Sequence, residues 1–175
     1  MHGSDDIHML DTLITSKTRL RLLVKFFINA ANRGHMRGLA EEFNESTNAI
    51  RKELNNLSEA GYLEKEALQN RVSYRANTNH PLFGLLQSIV HKYLGLDRIV
   101  ETVLSRMGDV EQVVVRGDYA EGRDSGLIEV TIVGPALNAE YLEQLAPKIE
   151  SVIGRQVVFT RSSQKLTDGL ILYDR

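Results

Sequence analysis

Residues 41–66 read EEFNESTNAIRKELNNLSEAGYLEKE, and the organisation of the first half of the chain follows from them. A helix from about Ser46 to Ala60 turns by ~100° per residue. That sets Ile50, Leu54 and Leu57 on one side, and Asn48, Arg51, Lys52 and Asn55 on the other. The apolar stripe is the side a helix buries against its own domain. The opposite side carries two cations and two amides, and its one acid, Glu59, stands toward its end. Such a face is either a solvated surface or a set of hydrogen-bonding groups meant for a partner. Ser46 or Thr47 supplies the N-cap, and Gly61 is placed to end the helix.

Upstream, TRLRLLVKFFINA from about Thr18 predicts a first helix, with Leu20, Leu23, Val24 and Phe27 at the i, i+3, i+4, i+7 spacing of a packed face. ANRG breaks it, and MRGLAEEF repeats the spacing with Met36, Leu39, Ala40 and Phe43. Downstream of Gly61 the period changes from 3.6 to 2: YLEKEA and RVSYRAN read as two short alternating strands joined by LQN. Three helices and a two-stranded ribbon make a winged helix-turn-helix arrangement. The segment RGLAEEF…NRVSYRAN resembles the DNA-binding domain of bacterial winged-helix transcriptional regulators of the broad ArsR/MarR type. Its most characteristic piece is the run Leu57-Ser58-Glu59-Ala60-Gly61-Tyr62-Leu63, and the resemblance covers residues 15–77.

A helix-turn-helix protein inserts the second helix of the motif into a major groove ~12 Å wide. Arg51 and Lys52 suit guanine O6 and N7, and Asn48 and Asn55 suit adenine N6 and N7. Ser46 and Thr47 can donate to phosphate at the helix start. Arg37 and, from the wing, Lys65, Asn70, Arg71 and Arg75 are the expected backbone contacts. A single module offers few phosphate contacts, so a dyad-related pair reading two half-sites is expected.

NTNHP at 77–81 is a polar break, and the domain boundary is set there, with a second domain over 82–175. LFGLLQSIVHKYLG is apolar on more than one side: Leu82, Leu86, Ile89, Val90 and Tyr93 share a stripe, with Phe83 and Leu85 outside it. The 82–94 helix is therefore the candidate dimer contact, with complete burial in the monomer as the alternative. The region 82–107 is read as linker and dimerisation helices, the second of them with Val100, Val103, Leu104 and Met107 inward. EQVVVRG and LIEVTIVG are strands, AEYLEQLAPKIESVIG is a helix that Pro147 should kink, and RQVVFT is a third strand. The fold class is α+β, a winged helix-turn-helix domain followed by a small α/β domain.

The stretch VVVRGDYAEGRDSGLIEVTIVG, residues 113–134, resembles the nucleotidyltransferase fold of the polymerase-beta type, whose signature is strand, Gly-Ser, a further glycine, then Asp-x-Asp on the next strand. Gly117 and Gly122 match the glycines, and Asp118 stands where the serine belongs. Leu127 and Glu129 take the places of the paired acids, and RQVVFT offers no third. Two-metal chemistry needs converging oxygens, which a leucine does not provide. The resemblance therefore implies a kept frame with its catalysis lost: no enzyme, no catalytic residue and no cofactor. The loop with Gly117, Asp118, Gly122, Ser125 and Glu129 either holds an unidentified small-molecule effector, such as a nucleotide, or serves as scaffold; its acids favour the scaffold.

The composition agrees. The chain of 175 residues has no cysteine, which excludes disulfides and thiolate sites, and its five histidines show no metal-site spacing. No apolar run approaches the ~20 residues of a membrane span, and the start of the chain lacks the features of a signal peptide, so a cytoplasmic protein without membrane contact is expected. Residues 1–80 hold 11 Lys+Arg against 10 Asp+Glu, and residues 81–175 hold 10 against 13, so any contact with nucleic acid must be local. The leading expectation is a homodimeric, sequence-specific regulator bound to double-stranded DNA. The alternatives are an active nucleotidyltransferase using Glu129 and Asp118, and a protein-interaction module of the antitoxin type.

Overall fold

A computed structural model describes residues 9–175 as a mixed α+β protein, with eight helices and two sheets among the described residues. They divide into two compact units, Asp11–Val90 and His91–Arg175, with Met9 and Leu10 grouped with the latter. Among the described residues no helix is long and apolar enough to cross a membrane.

The first unit takes in the last three residues of α1 (Met9–Leu13), then α2 (Lys17–Phe27), a two-residue strand β1 (Gly34–His35), α3 (Met36–Phe43) and α4 (Thr47–Glu59). Of the residues that periodicity put inward, Leu20, Leu23, Val24 and Phe27 from α2, Leu39 and Ala40 from α3, and Ile50, Leu54 and Leu57 from α4 are buried, while Met36 and Phe43 are half-buried; Leu22, Phe26 and Ile28, outside the expected stripe, are fully buried as well. Each fully buried large side chain stabilises by roughly 1.5–3 kcal/mol. Strands β2 (Leu63–Leu68) and β3 (Arg71–Ala76) pair antiparallel, and β1 adds to β3 through Gly34↔Tyr74 and His35↔Ser73. That third strand was not expected from the sequence, where ANRG read only as a break.

Local chemistry sets the ends of the two central helices. The α3–α4 turn is reversed by Asn44 in the left-handed region at φ 52°. Glu45 N–H donates to Ala40 C=O at 3.0 Å and Asn44 N–H to Glu41 C=O at 3.2 Å, a Schellman closure with asparagine in the glycine position. Ser46 then caps α4 by accepting from Ala49 N–H at 3.1 Å. Gly61 ends α4 at φ 81°, with Tyr62 N–H donating to Leu57 C=O at 2.9 Å.

The polar break before α5 (Phe83–Leu94) is fastened to this unit. Asn77 donates its side-chain amide to Gly61 C=O at 2.9 Å, His80 stacks on Tyr62 at 4.3 Å, and Phe83 meets Phe27 at 5.8 Å between ring centroids. The division between the units accordingly falls inside α5, and Leu82–Val90 groups with the first unit. Val90 is buried, while Leu82, Leu85 and Ile89 are exposed at 41%, 63% and 43%.

The second unit continues with α6 (Leu96–Arg106), β4 (Gln112–Arg116), α7 (Gly117–Ala120), β5 (Leu127–Val133), α8 (Ala139–Ile153), β6 (Gln156–Ser162) and β7 (Leu170–Asp174). The strands lie in the order β6-β5-β4-β7; β5 and β6 are parallel, and both β4 pairings are antiparallel. Val113, Val115, Ile128, Val130, Ile132 and Val157 are buried together with Ile99, Val103, Met107, Leu145, Ile149 and Ile153 of the helices. The α6 stripe runs Leu96, Ile99, Val103 and Met107; of the residues expected inward, Val100 is half-buried and Leu104 is 39% exposed, because the buried line starts at Leu96, four residues before Val100. Alternation leaves Leu127, Glu129, Val158 and Thr160 exposed on the other face of the sheet. α8 continues through Pro147 as one element. The last strand, β7, has no counterpart in the sequence reading; it completes the sheet beside β4.

Candidate nucleic-acid interface

The side chains singled out on α4 share one exposed surface. Thr47, Asn48, Arg51, Lys52 and Asn55 are all exposed, as is the cap Ser46. Arg51 Nη1 donates to Asn48 Oδ1 at 2.9 Å, which holds a guanidinium and an amide side by side. Ser46 Oγ is already an acceptor for Ala49 N–H, yet its hydroxyl proton remains able to donate outward. Neither Lys52 nor Arg37, which is exposed at the start of α3, forms an ion pair among the described residues.

The acid of the central turns, Glu53, a residue the sequence reading did not use, is turned away from this face, which leaves Glu59 near the helix end as its one carboxylate. Glu53 is 5% exposed, and its carboxylate accepts from Arg19 Nε at 2.7 Å and Ser16 Oγ at 3.1 Å, joining α4 to the start of α2. The signal was available: Ile50, Glu53, Leu54 and Leu57 follow the i, i+3, i+4, i+7 rule, so Glu53 belongs to the buried stripe. A carboxylate there requires a partner. Arg19 provides it from 34 residues away.

The ribbon presents its cations unequally. Lys65, Asn70 and Arg71 are exposed, with Lys65 Nζ 6.0 Å from the centroid of the Tyr74 ring. Arg75 is engaged instead: its guanidinium donates to Glu64 at 3.1 Å and lies 3.8 Å from Glu66. Cross-strand register explains this, since Arg75 pairs directly with Glu64. Of the four ribbon residues expected to reach a partner, Arg75 is the one already satisfied within the fold.

The glycine segment of the second unit closes on itself. Gly117 adopts φ 66° and opens α7, a four-residue helix where a loop was expected. A Cβ at Gly117 would fall 1.8 Å from Glu129 Oε2, so the exposed Glu129 carboxylate lies directly against this glycine. Asp118 accepts from Arg123 Nη2 at 2.7 Å, and Arg123 also meets Glu121 at 2.7 Å. The Arg123 hydrogen bond, with a second from Ser125, holds the Asp118 carboxyl below its ordinary range. Gly122, at φ 84°, sits between these partners.

Beneath lies a second cluster. Arg155 donates to both oxygens of Asp124, at 2.8 and 2.7 Å; the Tyr119 hydroxyl donates to Asp124 and accepts from Gly126 N–H at 3.0 Å. Arg155 also lies over the Tyr93 ring at 5.3 Å. Burial pushes the Asp124 carboxyl up, but the hydrogen bonds and charge of Arg155, with the Tyr119 hydroxyl, outweigh it and leave the group below its usual range. Burial and the Asp124 carboxylate both push the Tyr119 phenol up. This network joins residues 31 apart and carried no sequence signal. Among the described residues, no three His, Asp or Glu side chains converge as a metal site requires.

No protein-family model, curated protein or solved structure matches the chain.

Proposed function

We propose that the chain is a homodimeric, sequence-specific DNA-binding transcriptional regulator. On this reading α3 and α4 form a helix-turn-helix, α4 enters the major groove, and β2–β3 is the wing. The observation that carries it is the α4 surface: Asn48, Arg51, Lys52 and Asn55 are exposed together, while Glu53 is turned inward onto Arg19. An exposed helix face rich in amides and cations matches the donor and acceptor pattern of base edges. The capped, glycine-terminated ends of α4 support it as a rigid reader, because a groove-bound helix must hold its side chains in register.

The second unit is proposed as a nucleotidyltransferase-like scaffold. Support comes from strand, Gly117, strand in the expected order, with Leu127 and Glu129 at the positions of the paired acids. Asp118 is bound by Arg123, which favours scaffold over effector site. For the dimer, the support is the exposed apolar stripe of Leu82, Leu85 and Ile89 beside the small residues Gly84 and Ser88 on α5. Selection of bound duplexes from a random pool tests the whole reading. The expected result is an enriched palindrome with half-sites about one helical turn apart; a pool that stays random after selection contradicts it.

A further inference from the structure

Strand β1 does more than extend the ribbon. By pairing Gly34 with Tyr74 and His35 with Ser73, it stands alongside β3 and opens a groove between its own residues and the hairpin tip. The groove has a volume of about 560 Å³ and is lined by Arg33, His35, Gln69, Arg71 and Ser73, with Gly34 and Leu68 completing its wall. No acid lines it. Glu66, which does not line it, is bound to Arg33 at 3.0 Å and lies 3.8 Å from Arg75, whose other partner is Glu64 at 3.1 Å. Three guanidinium groups, of Arg33, Arg71 and Arg75, thus stand against two carboxylates, of Glu64 and Glu66. Arg71 is the cation left over: it is exposed and has no ion pair among the described residues.

The hairpin tip supplies an independent observation. Gln69 and Asn70 both have positive φ, 46° and 68°. A two-residue turn of this kind is most relaxed with Asn-Gly or a similar pair, and a long side chain such as glutamine is held there at a cost. Gln69, at this tip, places an amide on the lip of the groove. The groove therefore combines side chains able to donate, Gln69, Ser73 and His35, with an unmatched guanidinium, the donor set that recognises a phosphate oxygen.

We infer that the groove between β1 and the hairpin tip seats a phosphodiester of duplex DNA, with Arg71 as the neutralising cation and Arg33 as the second donor, released in part from Glu66. The inference rests on the proposed reading of this unit as a DNA binder. It adds Arg33, His35, Gln69 and Ser73 to the contact surface, and it assigns Glu66 as the acid that limits affinity.

The test uses the full chain and the duplex enriched by selection, beside a scrambled duplex, with fluorescence anisotropy read from about 50 to 200 mM salt. Arg71→Gln is expected to make the slope of log affinity against log salt shallower by about 0.9, the value of one phosphate contact. The affinities for both duplexes should fall by the same factor. Glu66→Gln is expected to move both affinities the other way, a gain that a merely structural disturbance of the hairpin would not produce. A parental slope in Arg71→Gln, or unchanged affinity in Glu66→Gln, overturns the inference while the parent still binds DNA. A parent that binds no duplex removes the reading beneath it and the groove together. If inorganic phosphate raises the parent's thermal midpoint while Arg71→Gln keeps the parental slope, the occupant is a free anion and the phosphodiester assignment is overturned.

Discussion

Two polar regions, α4 in the first unit and the glycine segment in the second, treat their side chains in opposite ways. In the first, α4 turns its carboxylate inward onto Arg19 and leaves Asn48, Arg51, Lys52 and Asn55 outside. In the second, the segment most suggestive of chemistry folds its charges onto one another: Asp118 to Arg123, and Asp124 to Arg155 and Tyr119. Donors already matched within a protein have little to gain from a ligand, because binding must first break what they hold. Donors matched only by water can exchange it for a partner. The contrast separates a surface prepared for a partner from a polar network that holds a loop in place.

Breaking the inner network should have the largest effect. Arg155→Ala leaves Asp124 without its counter-charge in a partly buried position, and is expected to cost about 2–4 kcal/mol in urea unfolding, discounted for the exposed third of the Asp124 side chain. The same network predicts an acid sensitivity. Asp124 titrates below its ordinary value in the folded chain, so the stability it contributes is complete above the unfolded carboxyl range and is lost as pH falls through the folded pKa. The thermal midpoint of the parent should therefore drop on acidification below about pH 4, and Asp124→Asn should flatten that drop.

An intermediate loss is expected for Glu53→Gln. It keeps the shape of the side chain but removes the charge that Arg19 and Ser16 meet, at about 1–3 kcal/mol. Smaller again is Asn44→Val, which forces a β-branched residue into φ 52° at roughly 1–2 kcal/mol, while Asn44→Gly should be close to neutral. Least of all should be Arg51→Ala with Lys52→Ala. Both residues are exposed, and removing them should change stability by no more than about 0.5 kcal/mol. Calorimetry on this series sharpens the comparison. If the α4 pair destabilised as much as Arg155→Ala, the two regions would not differ in the way described.

Much of the first unit was legible because its information is local. The periodicity of Leu20 to Phe27 and of Ile50 to Leu57, the Ser46 cap and the Gly61 terminus each lie within a few residues of what they determine. The exposed face of α4 follows from that periodicity alone. The division between the units was less visible, because Asn77, His80 and Phe83 make a polar break in sequence but are held in place by Gly61, Tyr62 and Phe27. In the second unit the strands β4, β5 and β6 were legible from their own short segments, EQVVVRG, LIEVTIVG and RQVVFT. Strand β7 was not, since it lies at the sheet edge beside β4 and is held by pairing across about 60 residues. The inward role of Glu53 could have been read from its place in the stripe; the Arg155 network, joined only in space, could not.

The central claim is that the α4 surface reads duplex DNA. The most direct measurement compares the affinity of the parent and of the Arg51→Ala, Lys52→Ala double variant for the selected duplex at fixed salt. The account predicts a loss of about 1–3 kcal/mol for each contact removed, with the thermal midpoint unchanged. Equal affinity in the two proteins would contradict it.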